Sequence, residues 1–276
     1  MNANPQAEIV GRIRSALEAA REIFRRFTPG EIEAEYKAGL DPVTDADRAL
    51  DAALRAELQR ENEGWLSEES GDDFSRLDRS RVWIVDPLDG TREFVAGIPE
   101  FCTSVAMAEN GRVIAGGICN PATDEVFLGS LDGGLTYNGK PACTSVCNSL
   151  DHATILASRS ETRRGEWKKF AGADFTIRPM GSVAYKLALV AAGLADATFT
   201  LVPKHEWDVA GGAALVESAG GVVRTLTGEP LLCNNRSVLI SGLLACGTGL
   251  LQPLSEIVQR AHAESVFRRK AHNTVQ

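Results

Sequence analysis

Apolar residues recur with a helical period at the start of the chain. Ile9, Ile13, Leu17, Ala20 and Phe24 fall on one face of an amphipathic helix. The period returns at 45–60, where Ala46, Ala49, Leu50, Ala53, Leu54 and Leu58 form the face and Thr44 or Asp45 serves as cap. ENEGWLSEESGDD (61–73) breaks that pattern. Consecutive apolar residues from Val82 to Val85 then predict a buried strand ending in a turn that carries Asp86 and Asp89.

From 101 the pattern becomes β-rich: strand, turn at Asn110-Gly111, strand, loop at Pro121, strand. Short strands and turns continue through GGLTYNGKPACTS, so the first part reads as helices on an antiparallel sheet. Beyond 150, strand and helix alternate. Strand 153–159 is followed by a helix from 181 that ends at Gly193, and strand 197–202 by a helix 207–221 ending at Gly220-Gly221. Strands 222–226 and 237–242 and a last helix 247–267 complete an α/β half. We expect two subdomains, 1–148 and 149–276, fused into one compact unit.

A length of 276 residues is enough for a substantial core, and 44% apolar with 24% charged residues is an ordinary globular balance. No apolar run approaches the roughly 18 residues of a membrane span, and the first segment reads as a helix rather than a signal peptide. A net charge of −8 without a basic stripe argues against nucleic-acid polymers as partners. Arg268, Arg269 and Lys270 read as a solvated tail. Six cysteines without a CxxC pair, and four scattered histidines, fit free thiols in a reducing cytosol rather than a zinc site.

Asp86 and Asp89 pose the chemical question, because two close carboxylates cannot both ionise cheaply. A magnesium ion removes that repulsion and prefers oxygen ligands. Pro87 stiffens the backbone and helps aim both side chains and the Leu88 carbonyl together. Gly90 permits close approach, and a helix starting at Thr91 would offer free N–H groups to an anion. Asp-Pro and Asp-Gly are equally common in capped surface turns. Glu68 and Glu69, Asp208, and Asp45 and Asp47 each have a plain account too: surface charge, helix cap, exposed helix carboxylate. The signal is the set.

LSEES, WIVDPLDGT and EWDVAGG, in this order, resemble the inositol monophosphatase superfamily of magnesium-dependent, lithium-sensitive phosphatases. The resemblance implies a layered αβαβα sugar-phosphatase-like fold, a cytoplasmic homodimer and two or three Mg2+ per site. Carried over, it makes Glu68, Asp86 and the Leu88 carbonyl ligands of one ion, and Asp86, Asp89 and Asp208 ligands of a second. Asp47 and Thr91 would activate the attacking water, and the Gly90 and Thr91 N–H groups would hold the phosphate. Ser67 stands where the family often has glycine.

DGTREF, IPEF, ASRS and GSVAYK resemble the bisphosphate nucleotidase branch, which removes the 3′-phosphate of adenosine 3′,5′-bisphosphate. A second phosphate needs cations, for which Lys186 and Arg159 are candidates, with Ser182 in the same motif as Lys186. Two positions depart from that branch: Glu161 replaces a frequent histidine and Thr200 a frequent arginine. Inositol-1-phosphate, another sugar phosphate or histidinol phosphate is the alternative substrate. That branch's substrate-gripping glutamate is Leu201 here, although Glu206 could contact a sugar hydroxyl. A catalytically silent relative would have no reason to keep every carboxylate. A calcium module would need an EF-hand loop, and DPVTDADRALD lacks its glycine and final glutamate. Residues 37–41, in KAGLDP, would suit a mobile loop over the site.

Overall fold

The computed structural model describes residues 5–31, 35–36 and 42–261. The 37–41 segment, the basic tail and the end of the last helix lie outside them. Helix α1 (Pro5–Phe24) precedes an antiparallel strand pair, β1 (Glu35–Tyr36) with β2 (Pro42–Val43), and α2 (Asp45–Leu58) follows. Thr44 caps α2, accepting from Ala46 N at 3.2 Å.

Next come β3 (Gly64–Ser67), β4 (Arg81–Asp89), the short helix α3 (Thr91–Val95), β5 (Cys102–Glu109), β6 (Arg112–Asn120), β7 (Glu125–Ser130), β8 (Gly134–Tyr137) and β9 (Lys140–Ala142). These seven strands form one sheet in sequence order, antiparallel except for the β3–β4 pair. Asn110 and Gly111, both at positive φ, make the tight β5–β6 turn.

The second half supplies β10 (Thr154–Ser158), α4 (Arg159–Arg163), β11 (Thr176–Met180), α5 (Val183–Ala191), β12 (Ala197–Thr200), β13 (Lys204–His205), α6 (Glu206–Ser218), β14 (Gly221–Thr225), β15 (Leu239–Ile240) and β16 (Leu243–Gly247), with helix again at 251–261. Its five-stranded sheet runs β11-β10-β12-β16-β14 and is mixed, with β16 antiparallel to both neighbours.

Three apolar clusters stack these parts into alternating layers. The α1 and α2 faces cover Trp83, Val85, Val105 and Met107 on one side of the large sheet. The opposite parity, Val82, Ile84 and Ala106, packs on α5 and α6, which also meet Val223 and Ala245 of the second sheet. Ile155, Phe199 and Leu244 on that sheet's far side meet Trp167, Leu254 and Val258. The order is helices, sheet, helices, sheet, helix, as expected of an αβαβα arrangement. Close packing of the middle layer explains the glycines after EWDVA. A Cβ on Gly211 would run into Ser104 Oγ and the Val105 backbone, so only glycine lets α6 lie this close to β5.

Candidate active site

The expected turn after Val85 is not there. β4 continues to Asp89, and its pairing with β5 slips between Asp86 and Asp89, leaving Pro87 and Leu88 opposite Thr103 alone. This is a β-bulge, where proline is tolerated because no ladder N–H is required. Thr103 Oγ1 bonds the Pro87 carbonyl at 2.8 Å and secures it. The bulge has a chemical consequence. Residues three apart on a regular strand face opposite sides, but the extra residue restores parity, and Asp86 and Asp89 line one cavity.

That cavity, of about 580 Å³, is also lined by Glu68 from the end of β3, Leu88, Gly90, Thr91, Ser182, Lys186 and Asp208. Carboxylate oxygens of Glu68, Asp86 and Asp208 lie within 4.8 Å of one another. Asp86 is 1% exposed, and its Oδ2 is buried without a hydrogen-bond partner, while Oδ1 accepts from Leu88 N at 3.1 Å. An orphaned buried oxygen amid like charges fits a divalent cation bound by hard oxygen ligands. Asp89 is held differently: its Oδ2 accepts from Ser182 Oγ at 2.7 Å and Ala184 N at 2.6 Å, at the start of α5. Asp208 Oδ2 caps α6, accepting from His205 N at 2.9 Å.

Burial, then repulsion from Glu68, Asp89 and Asp208, raises the Asp86 carboxyl well above the usual range. Burial also raises Asp89, although bonds from Ser182 and Ala184 and the Lys186 and Lys204 charges oppose it. Asp208 is pushed up to about 8 by burial, with Asp89 and Glu68 adding to it. Such a site keeps protons until a cation displaces them.

Asp47 does not line the cavity but stands behind Thr91, whose Oγ1 lies 3.3 Å from Asp47 Oδ1 and 3.0 Å from the Leu88 carbonyl. The other Asp47 oxygen accepts from Thr44 N and Oγ1, at 2.7 and 2.6 Å. α3 begins at Thr91, directly after Gly90 at φ +97°.

The same cavity also has a cationic lining. Lys186 is 3% exposed, and its Nζ donates to the Ser182 and Gly181 carbonyls at 2.9 and 3.3 Å. Burial lowers it to about 8. Arg159 lines the same wall, bonded to Glu100, which also accepts from Gly181 N at 2.6 Å. The sequence reading missed Arg92, Arg163, Arg164 and Lys204, which also line the cavity. Lys204 had a visible signal, a cation four residues ahead of Asp208 in KHEWD.

Glu206 is a correction. It is fully buried, does not line the cavity, and its oxygens accept from Asn234 N, Asn235 N and Asn235 Nδ2 at 2.6, 2.9 and 2.8 Å. Neighbours at 206 and 208 on a helix face different directions, so the residue beside a cavity carboxylate points into the core.

The family model of the inositol monophosphatase family matches residues 6–260. An inositol-1-monophosphatase of Rhizobium meliloti (strain 1021) is 33% identical over 261 residues, covering 90% of this chain and 94% of that protein. Among solved structures, inositol monophosphatase from Anabaena (Nostoc) sp. PCC 7120 superposes with a TM-score of 0.76 at 26% identity, covering 95% of this chain and 97% of that one. CysQ from Bacteroides thetaiotaomicron, a bacterial member of the inositol monophosphatase family, gives 0.71 at 27% identity, covering 86% and 96%. With its motifs gathered in one cavity and the match spanning nearly its whole length, the chain belongs to the inositol monophosphatase family and is a hydrolase of phosphomonoesters.

Proposed function

We propose a magnesium-dependent phosphomonoesterase whose substrate carries a second anionic group, with adenosine 3′,5′-bisphosphate the leading candidate. The observation that carries the substrate class is the charge of the cavity wall. Arg92, Arg159, Arg163, Arg164, Lys186 and Lys204 share one cavity with the carboxylate cluster. Arg159 is paired with Glu93 and Glu100 and Arg164 with Glu166, but once cations neutralise the clustered carboxylates the lining is net positive, which favours a ligand with a further anionic group.

Glu68, Asp86 and Asp208 would hold one or more Mg2+, with the Leu88 carbonyl and Asp89 at the same cavity. The ion supplies Lewis acidity, polarising the phosphoryl group and lowering the pKa of water. Thr91 orients the attacking water through its hydroxyl, and Asp47 behind it takes the proton. Burial raises the Asp47 pKa, which suits it to that transfer. Attack in line with the leaving alkoxide requires no covalent intermediate. Gly90 and Thr91 line the cavity, and their N–H groups would bond phosphate oxygens.

A second reading, inositol 1-phosphate, is favoured by the Rhizobium relative's name. Phosphate release from both esters, with and without magnesium and after chelation, tests the proposal. We expect magnesium-dependent turnover, lost on chelation, with preference for the bisphosphate. Full activity after chelation would overturn the metal reading, and preference for the inositol ester the substrate reading.

The same reading makes the protein a cytoplasmic homodimer. Six unpaired thiols support the compartment, and no helix among the described residues is long and apolar enough to cross a membrane. Analytical ultracentrifugation tests the dimer. A subdomain boundary near 148 is supported by the sheets, since β9 ends at Ala142 and β10 starts at Thr154.

A further inference from the structure

Arg76 is among the largest fully buried side chains, 1% exposed, and the chemistry above does not use it. Its guanidinium bonds Asp72 Oδ2 through Nε at 3.1 Å and Nη2 at 2.8 Å, Asn234 Oδ1 through Nη1 at 2.6 Å, and the Asn235 carbonyl through Nη2 at 2.9 Å. Asn234 Nδ2 returns a bond to the Arg76 carbonyl at 3.2 Å. The same two asparagines donate three bonds to the buried Glu206 carboxylate. Arg76 and Glu206 therefore grip one loop, 234–235, Arg76 through the loop's carbonyl oxygens and Glu206 through its N–H groups.

One end of this clamp, Glu206, is two residues from Asp208, and the other is bonded to Asp72, four residues after Glu68. Glu68 begins the segment whose Asp72 is bound to Arg76, and Glu68 N is fastened to the Val85 carbonyl at 3.3 Å. Glu206 opens α6 two residues before Asp208, and its own N–H donates to the Val238 carbonyl at 2.9 Å. The Glu68 segment and the α6 N-terminus are thus joined through Arg76, Asn234, Asn235 and Glu206.

We propose that Arg76 and Glu206 are positioning residues that hold Glu68 and Asp208 at cation-binding separation, acting through Asn234 and Asn235. The inference rests on the magnesium reading above. It is tested by isothermal titration of the metal-free protein with Mn2+ and Mg2+, alongside magnesium-dependent kinetics, for Arg76→Met, Arg76→Lys and Glu206→Gln. Residues that orient metal ligands typically change affinity by about 10–100-fold, so Arg76→Met and Glu206→Gln should weaken cation binding on that scale. At saturating magnesium, kcat and the substrate KM should return to within about threefold of the parent, the pattern of lost cation binding rather than lost chemistry. Arg76→Lys, which keeps the charge but not the fork, should fall between. Parent-level cation affinity in folded Arg76→Met, or in both Glu206→Gln and Arg76→Lys if the methionine variant does not fold, overturns the proposal. Absence of cation binding by the parent would instead defeat the magnesium reading itself.

Discussion

Glu161 Oε1 accepts a 2.6 Å hydrogen bond from Thr200 Oγ1, and Glu161 Oε2 accepts from Trp167 Nε1 at 3.1 Å. These are the two positions at which the sequence departs from the nucleotidase pattern. They lie on α4 and β12, both side chains are buried, and neither lines the cavity. The two departures are one structural feature: a buried carboxylate and the hydroxyl that satisfies it. Neither position carries a cation, so any second phosphate must be met by Lys186, Lys204 and the arginines of the wall.

Thr200→Val keeps the shape of the side chain and removes the donor. A buried acceptor left short of a partner costs about 1–3 kcal/mol, so urea denaturation should show a loss of that size while KM for either ester stays put. Parent-like stability would mean Glu161 finds another donor.

Asp89→Asn should lower turnover by about 100-fold or more, because it weakens the hold on the cation that would stabilise the developing negative charge. An asparagine oxygen can still accept from Ser182 and Ala184 while removing a charge that repels Asp86 and Asp208. The metal-free variant should therefore melt at a higher temperature than the parent. Undiminished phosphate release would contradict the site.

Lys186 spends two of its three protons on the Ser182 and Gly181 carbonyls, leaving one for substrate. Lys186→Met should raise KM for adenosine 3′,5′-bisphosphate about tenfold, as expected for a charge-assisted bond, and change inositol 1-phosphate less. Burial lowers this amine to about 8, so the bisphosphate KM of the parent should climb above pH 8. The methionine variant should lose that climb; equal effects on both esters would remove Lys186 from substrate selection.

Stability of the metal-free protein should fall as pH rises from about 4 to about 8. Asp208 is raised to about 8 in the fold, whereas unfolded aspartate titrates near 3.9. Between those values the native state holds a proton that the unfolded state has released, so raising pH favours unfolding. Saturating magnesium should reverse the trend, because cation binding displaces the proton. Thermal melts with chelator and with magnesium, from pH 5 to pH 8, check both signs.

Gly211→Ala forces a methyl group against Ser104 and the Val105 backbone. Overpacking of this kind costs about 1–3 kcal/mol, and because α6 carries Asp208 the magnesium requirement should rise with it. A variant with parent stability and parent magnesium dependence would show that α6 can shift without moving Asp208.

By itself the sequence determined the elements whose signal is periodic or local. The faces of α1 and α2, the Asn110-Gly111 turn and the carboxylate motifs are written in neighbouring residues, so they were legible. It did not reveal β3, β11 or β16: GWLS and LLACG are buried at every position, so no alternation marks them, and TIRPM is an edge strand carrying Pro179. Only the tertiary structure decided how the motifs act. Asp86 and Asp89 share a cavity because pairing with β5 forces a bulge where the local pattern read as a turn. Glu206 turns inward because its donors come from Asn234 and Asn235, far along the chain. Residue type sets which chemistry is available, but burial and the partners that relieve it depend on contacts between distant segments, and those exist only once the layers have packed.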